Sequence, residues 1–172
     1  MKLRSLLSFT LLLAVHAHAE VIQDLPDIGV TVSTSEPYVM LPEKVSPETG
    51  NIINQAMLKG KGDGTEVYSI FRERYVDPKI DKRILRAIYE RACKKDQQYF
   101  QVETTFQGRP ALNFKRSVKR DDFYVCQEIL MAYDSDSNSL FTMMSAFSTR
   151  QQIAPEACTE LETLLKNVTI SP

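Results

Sequence analysis

Tryptophan is absent from the 172 residues, and the only two histidines, His16 and His18, fall within the first twenty. The longest apolar run, residues 6–15, is about half the roughly 20 residues that a helix needs to cross a bilayer. There are three cysteines and six glycines, and three of those glycines crowd together as Gly60, Gly62 and Gly64. Each scarcity removes a class of chemistry, and the place of the histidines removes the most.

Residues 1–19 read as a secretory signal peptide. Lys2 and Arg4 form a positive start, residues 6–15 a short apolar centre, and Ala17-His18-Ala19 a small-residue cleavage site. Cleavage before Glu20 leaves a chain without imidazole and with net charge −3. A Ser-His-Asp triad or a Cys-His pair needs imidazole as its base, so neither can be built. Histidine-containing zinc and copper sites are excluded on the same ground. Ser117-Val118-Lys119 has the wrong spacing for a Ser-x-x-Lys nucleophile, and no Walker loop, dinucleotide fingerprint or HExxH occurs. Carboxylate chemistry survives, because a glycosidase pair needs only Asp and Glu. Nothing in the spacing of the 22 carboxylates singles out such a pair. The chain therefore reads as leaning away from catalysis, with no cofactor and no metal implied.

What remains is 43% hydrophobic and 25% charged, enough apolar material for one globular domain and too much for a disordered chain. Residues 20–66 read as an irregular arm, with Pro26, Pro37, Pro42 and Pro47 in close succession. Val30-Thr31-Val32 and Tyr38-Val39-Met40-Leu41 would each add an edge strand, and residues 51–58 one or two helical turns. The Lys59–Gly64 stretch reads as a hinge or exposed loop. It is no phosphate cradle, lacking the Gly-Lys-Ser/Thr ending. Residues 67–172 read as a single α+β domain. It begins with a short helix over 67–75. A longer helix over 78–95 follows, with Asp77 as N-cap and Ile80, Ile84, Ile88 and Ala92 along one face. Period-two alternation then predicts four strands at 98–107, 111–118, 123–133 and 140–148, joined by short loops as an antiparallel meander. A last helix is expected over 155–168, with Ala157, Leu161, Leu164, Leu165 and Val168 as its stripe. The expected fold is one or two helices packed on this four-stranded meander, with a C-terminal helix and a Pro-rich N-terminal arm. A helix followed by such a meander resembles cystatin-like shapes in topology, a likeness that carries no function.

Three cysteines in an exported chain predict one disulfide. Two antiparallel helices would bring Cys93 to Cys158 and leave Cys126 a buried thiol. A bridge from Cys126 to either partner is the rival.

The charge is unevenly distributed. Residues 20–71 carry net −5, residues 72–120 net +8 and residues 121–172 net −6. The basic block includes Lys79, Lys82, Arg83 and Arg86 on one helix face and Lys115, Arg116, Lys119 and Arg120 near a turn. It would either meet an anionic glycan or lipid or be neutralised internally by the acidic segments. Nucleic acid is disfavoured, because Phe100, Phe106 and Phe114 fit strand positions better than a stacking platform. Asp134-Ser135-Asp136-Ser137-Asn138 matches half of a calcium loop. Ser139 and Ser145 stand where that motif needs Gly and Glu, so the stretch reads as a polar hairpin turn. Asn167-Val168-Thr169 is a glycosylation sequon that reads as a chance match.

The expected function is an exported, non-catalytic binding or accessory protein of the cell envelope, acting through contacts with another envelope or secreted protein. The alternatives are an inhibitor or immunity protein against a periplasmic hydrolase or toxin, and a carboxylate-dependent glycan hydrolase. Either a periplasmic or an extracellular location fits.

Overall fold

The computed structural model describes residues 20–59, 66–77, 87, 99–158 and 161–171. The leader, most of the Gly-rich stretch, most of the 78–95 helix and Cys93 lie outside the described residues.

Two antiparallel sheets account for most of the described residues. The larger is built from β3 (Val39–Met40), β4 (Lys44–Val45), β5 (Ile52–Lys59), β6 (Glu66–Arg74), β7 (Tyr99–Phe106), β8 (Arg109–Arg120), β9 (Phe123–Asp134) and β10 (Ser139–Thr149). Its order is β3-β5-β6-β10-β9-β8-β7, with β4 beside β3 on the edge of β5. The smaller contains β1 (Val21–Leu25), β2 (Val30–Thr34) and β11 (Val168–Ile170), in the order β1-β2-β11. The architecture is thus α+β with an eight-stranded sheet and a second three-stranded one, not a simple four-stranded meander. The four expected strands are present as β7 to β10. They do not end the sheet, because β10 pairs along its length with β6. The cystatin-like likeness goes with the meander that suggested it.

The corrections share one cause, which is that pairing overrides local preference. Residues 67–75 offer a helical triad in Val67, Ile70 and Phe71. They also alternate through Tyr68, Ile70 and Arg72, and β6 has a partner strand on each side. Residues 51–58, expected to make helical turns, become β5 for the same reason: Ala56 is fully buried opposite Ile70. The segment read as an irregular arm carries β1 to β5, and the boundary at 66 falls inside the β5–β6 hairpin. At the C-terminus a helix over 155–168 is replaced by a 3₁₀ turn (Pro155–Ala157), a short α1 (Leu161–Lys166) and β11. The β-branched run Val168-Thr169-Ile170 pairs with β2 instead of ending a helix.

The disulfide is Cys126–Cys158, which corrects the Cys93–Cys158 expectation and the assignment of Cys126 as a thiol. The expectation required Cys158 to sit on a helix. Its backbone is non-helical (φ −78°, ψ 87°) and caps the 3₁₀ turn. The two Cα atoms lie 5.8 Å apart, in the range a disulfide needs. Both residues are buried, and the bridge spans 32 positions of sequence. Closing a loop of that size stabilises by about 4 kcal/mol in the chain-entropy picture.

The small sheet covers one face of the large one. Leu25, Ile28, Val30, Val32, Val168 and Ile170 from the small sheet and its turns form one cluster with inward residues of β5, β6, β8, β9 and β10, among them Ile70, Leu130, Phe141 and Met143. A separate cluster around Leu112, Phe114, Ile129, Met131 and Tyr133 occupies the opposite face. Gly29 closes the β1–β2 turn with φ +77°. That backbone conformation calls for glycine; a Cβ there would also lie 2.9 Å from a guanidinium nitrogen of Arg72 and push that side chain aside.

Candidate functional site

The space between the sheets is held open by side chains that imitate strands. Gln107, in the β7–β8 turn, donates from Nε2 to the Val168 carbonyl (2.7 Å) and accepts from the Ile170 N–H at Oε1 (2.9 Å). One amide thereby satisfies the edge of β11 that β2 does not. Gln23 does the same for Tyr38: Nε2 donates to the Tyr38 carbonyl (3.0 Å) and Oε1 accepts from its N–H (2.7 Å). These two clamps fasten the small sheet to the turn beside β8 and to the entry of β3.

At the end of the molecule where β1 begins and β2 finishes, the layers part around a cavity of about 370 Å³. The small sheet contributes Glu20, Ser33, Thr34, Ser35 and, before β11, Asn167. The opposite wall is Tyr38, Leu58, Tyr68 and Leu164. One wall therefore supplies hydroxyls, an amide and a carboxylate, and the other supplies mostly apolar surface. Tyr38 is 3% exposed, and among the described residues its buried hydroxyl has no hydrogen-bond partner. Burial, and then the nearby Tyr68, push its phenol well above the usual tyrosine range, so it stays protonated.

A polar row runs inward from Tyr68. Cross-strand register sets Tyr68 beside Ser145, Ser145 beside Glu128 and Glu128 beside Lys115. Glu128 is buried, 3.5 Å from the Lys115 ammonium, and accepts from the Asn113 amide at 3.2 Å. Farther along the same face, Arg109 pairs with Asp134 at 3.3 Å. Arg72 stacks over Phe141 at 5.3 Å and donates to Ser139 Oγ. Glu128 and Asp134 are thus each paired with a cation on this face, while Arg72 is held by a ring and a hydroxyl.

That placement divides the expected basic surface. Lys115 and Arg116 are adjacent in β8 and so project from opposite faces of the sheet. Lys115 is only 15% exposed and ion-paired, and Arg116 donates to Gln127 Oε1 at 2.6 Å. Lys119 and Arg120 are exposed at the end of β8. Lys79, Lys82, Arg83 and Arg86 lie outside the described residues. The calcium-like stretch is a hairpin turn whose polar groups hold the fold. Asp134 accepts from Ser137 Oγ as well as pairing with Arg109. Asn138 donates to the carbonyls of Tyr75 and Asp77 and accepts from the Tyr133 hydroxyl. Among the described residues no group of His, Cys, Asp and Glu is arranged to hold a metal ion. Among them, too, no helix is long and apolar enough to cross a membrane.

Sequence reading missed an exposed apolar strip on the N-terminal strands. Ile22 is 75% exposed and Val39 64%, each one residue from a member of the Gln23–Tyr38 clamp, and Val21 and Val45 are exposed nearby in the chain. Six acids and one base occupy residues 20–58, and all six acids are exposed. No local signal marked it, since β1 (Val-Ile-Gln-Asp-Leu) has no period-two alternation. No protein-family model matches the chain, and no curated protein matches it in sequence.

Proposed function

We propose that this chain is an exported, non-catalytic binding protein that receives a basic, extended segment of another protein along its N-terminal edge. The observation that carries this reading is the pair Ile22 and Val39, exposed aliphatics flanking the Gln23–Tyr38 clamp in a segment whose charge is almost wholly negative. Short edge strands leave backbone donors and acceptors for an added strand. Aliphatic side chains give it grip, and the acids select its charge. The pairing of Glu128 with Lys115 and of Asp134 with Arg109 supports a non-catalytic role, since these inward carboxylates are already neutralised. Export rests on the leader reading.

Selection of displayed ten-residue peptides on the chain from residue 20 onward tests the edge. The selected peptides should be rich in Lys, Arg and β-branched residues, and Ile22→Lys with Val39→Lys should abolish their binding while leaving the circular dichroism unchanged. Peptides without basic bias, or binding indifferent to the double variant, would reject the reading. N-terminal sequencing of the chain recovered from outside the inner membrane of a bacterial host tests export; it should begin at Glu20.

A further inference from the structure

We propose that β1 is the strand the incoming segment joins, and that it selects a base followed two residues later by a β-branched aliphatic, laid antiparallel along its free edge. This rests on the strand-binding reading above and specifies where it acts and what it selects. The small sheet has two edges, and the N-terminal side of the large sheet is a third. The outer edge of β11 is filled by the Gln107 amide, which takes the Val168 carbonyl and the Ile170 N–H. On the large sheet, β3 and β4 are two residues each, with Pro42 between them, and β4 carries the exposed Lys44, which repels a basic segment. β1 has five residues with no proline and no base, and among the described residues it pairs with β2 alone. Pro26 follows it and ends the ladder, because it has no N–H to give.

The side chains of β1 divide by face. Leu25 is buried in the core and Gln23 is turned to Tyr38, so these two point inward. Ile22 and Asp24, the alternate residues, point outward from the small sheet. Ile22 is 75% exposed. Asp24 is exposed too, its carboxylate held by the Thr31 hydroxyl at 2.7 Å from the neighbouring strand. An added strand sets its own outward residues about 5 Å from these two. An aliphatic then covers Ile22 and a base meets Asp24, whereas an acid there would face a like charge. Direction fixes their order. Every paired strand in the two sheets is antiparallel to its neighbour, and antiparallel ladders are slightly the more stable. A strand running against β1 passes Asp24 before Ile22, so the base comes first. Asp27, exposed just past Pro26, lies at the same end as Asp24 and adds to the attraction.

The test uses the chain from residue 20 onward and three nine-residue peptides of one composition, capped at both ends, in a common Ser/Thr frame. Their centres are Lys-Thr-Val, Val-Thr-Lys and Lys-Val-Thr. The first puts the base before the aliphatic on one face, the second reverses the order, and the third puts the two on opposite faces. Binding is followed by fluorescence anisotropy and by the amide resonances of residues 21–25. Lys-Thr-Val should bind about fivefold tighter than either of the others and shift those amides. Asp24→Lys should exchange the preference, losing about tenfold for Lys-Thr-Val and gaining as much for a Glu-Thr-Val peptide, with circular dichroism unchanged. Three peptides that bind alike, a preference for Val-Thr-Lys, or an Asp24→Lys variant with the original order of affinities would each overturn the β1 assignment and leave the broader edge reading standing. If no basic peptide binds, the edge reading falls and this one with it.

Discussion

Tyr38 is held by its backbone and left unsatisfied at its tip. Gln23 takes both of its main-chain groups, while its phenol enters the core with no acceptor among the described residues. Removing an unsatisfied buried hydroxyl relieves a desolvation penalty, so Tyr38→Phe should raise stability by up to about 1 kcal/mol, measured as a shift in urea midpoint at pH 7. The same residue sets part of the alkaline behaviour. Its folded pKa lies above the unfolded value of about 10, so the native state holds the proton more tightly. Its contribution is constant below pH 10 and is lost as pH rises beyond it. The wild-type chain should therefore lose stability above pH 10 more steeply than Tyr38→Phe. Tyr75, pushed upward by burial and then by Glu73, adds a second group of the same sign that the variant leaves in place. Lys115 and Glu128 pose the opposite case, a satisfied pair in a dry place. Lys115→Met strands a carboxylate that is 4% exposed and should cost about 3–5 kcal/mol, while Lys115→Met with Glu128→Leu should recover most of it. Chemical denaturation of both variants decides this. A single variant as stable as the wild type would show that the pair holds nothing.

At the scale of elements, Gln107 is the fastening with the greatest leverage. Gln107→Ala removes both bonds to β11 and leaves the Val168 carbonyl and Ile170 N–H unpaired. It should cost about 1–3 kcal/mol, and hydrogen exchange should quicken at Ile170 well before it does in β9. Elements were legible in the sequence where one periodicity stood alone. The strands from Tyr99 to Thr149 are separated by turn residues and lie where the sequence puts them, although residues 128–133 of β9 are buried on both faces. Elements were misread where two periodicities competed. Ala56, Met57 and Leu58 favour helix, and only the buried contact of Ala56 with Ile70 decides for β5. Leu161 to Val168 carries a helical stripe, yet its last residue belongs to a strand whose partner lies more than a hundred residues away. The disulfide was open in the sequence, and its resolution depended on Cys158 leaving helical geometry.

At the scale of the whole molecule, the small sheet joins the two ends of the described chain. β1 and β2 come from the beginning of the described chain, and β11, which completes their sheet, comes from its end. Deleting residues 168–172 should therefore loosen the N-terminal strands as well as the C-terminus. The expected result is a lower and broader thermal transition with exchange protection lost across Val30–Thr34. A sharp transition at the wild-type temperature would contradict it. The cavity and the exposed edge were illegible for the same reason: each brings together residues that only the stacking of one sheet on the other makes neighbours, as with Ser33 and Tyr68.

That closure by the last strand bears on how the protein is made. While the chain emerges from a ribosome, β2 has only β1 beside it, and β6 waits for β10 more than sixty residues later. A two-stranded hairpin is at best marginally stable in water, and distant pairings form slowly. The small sheet therefore cannot close until β11 has been made. Were the chain threaded through a narrow translocation channel, that sheet would close only after β11 had passed.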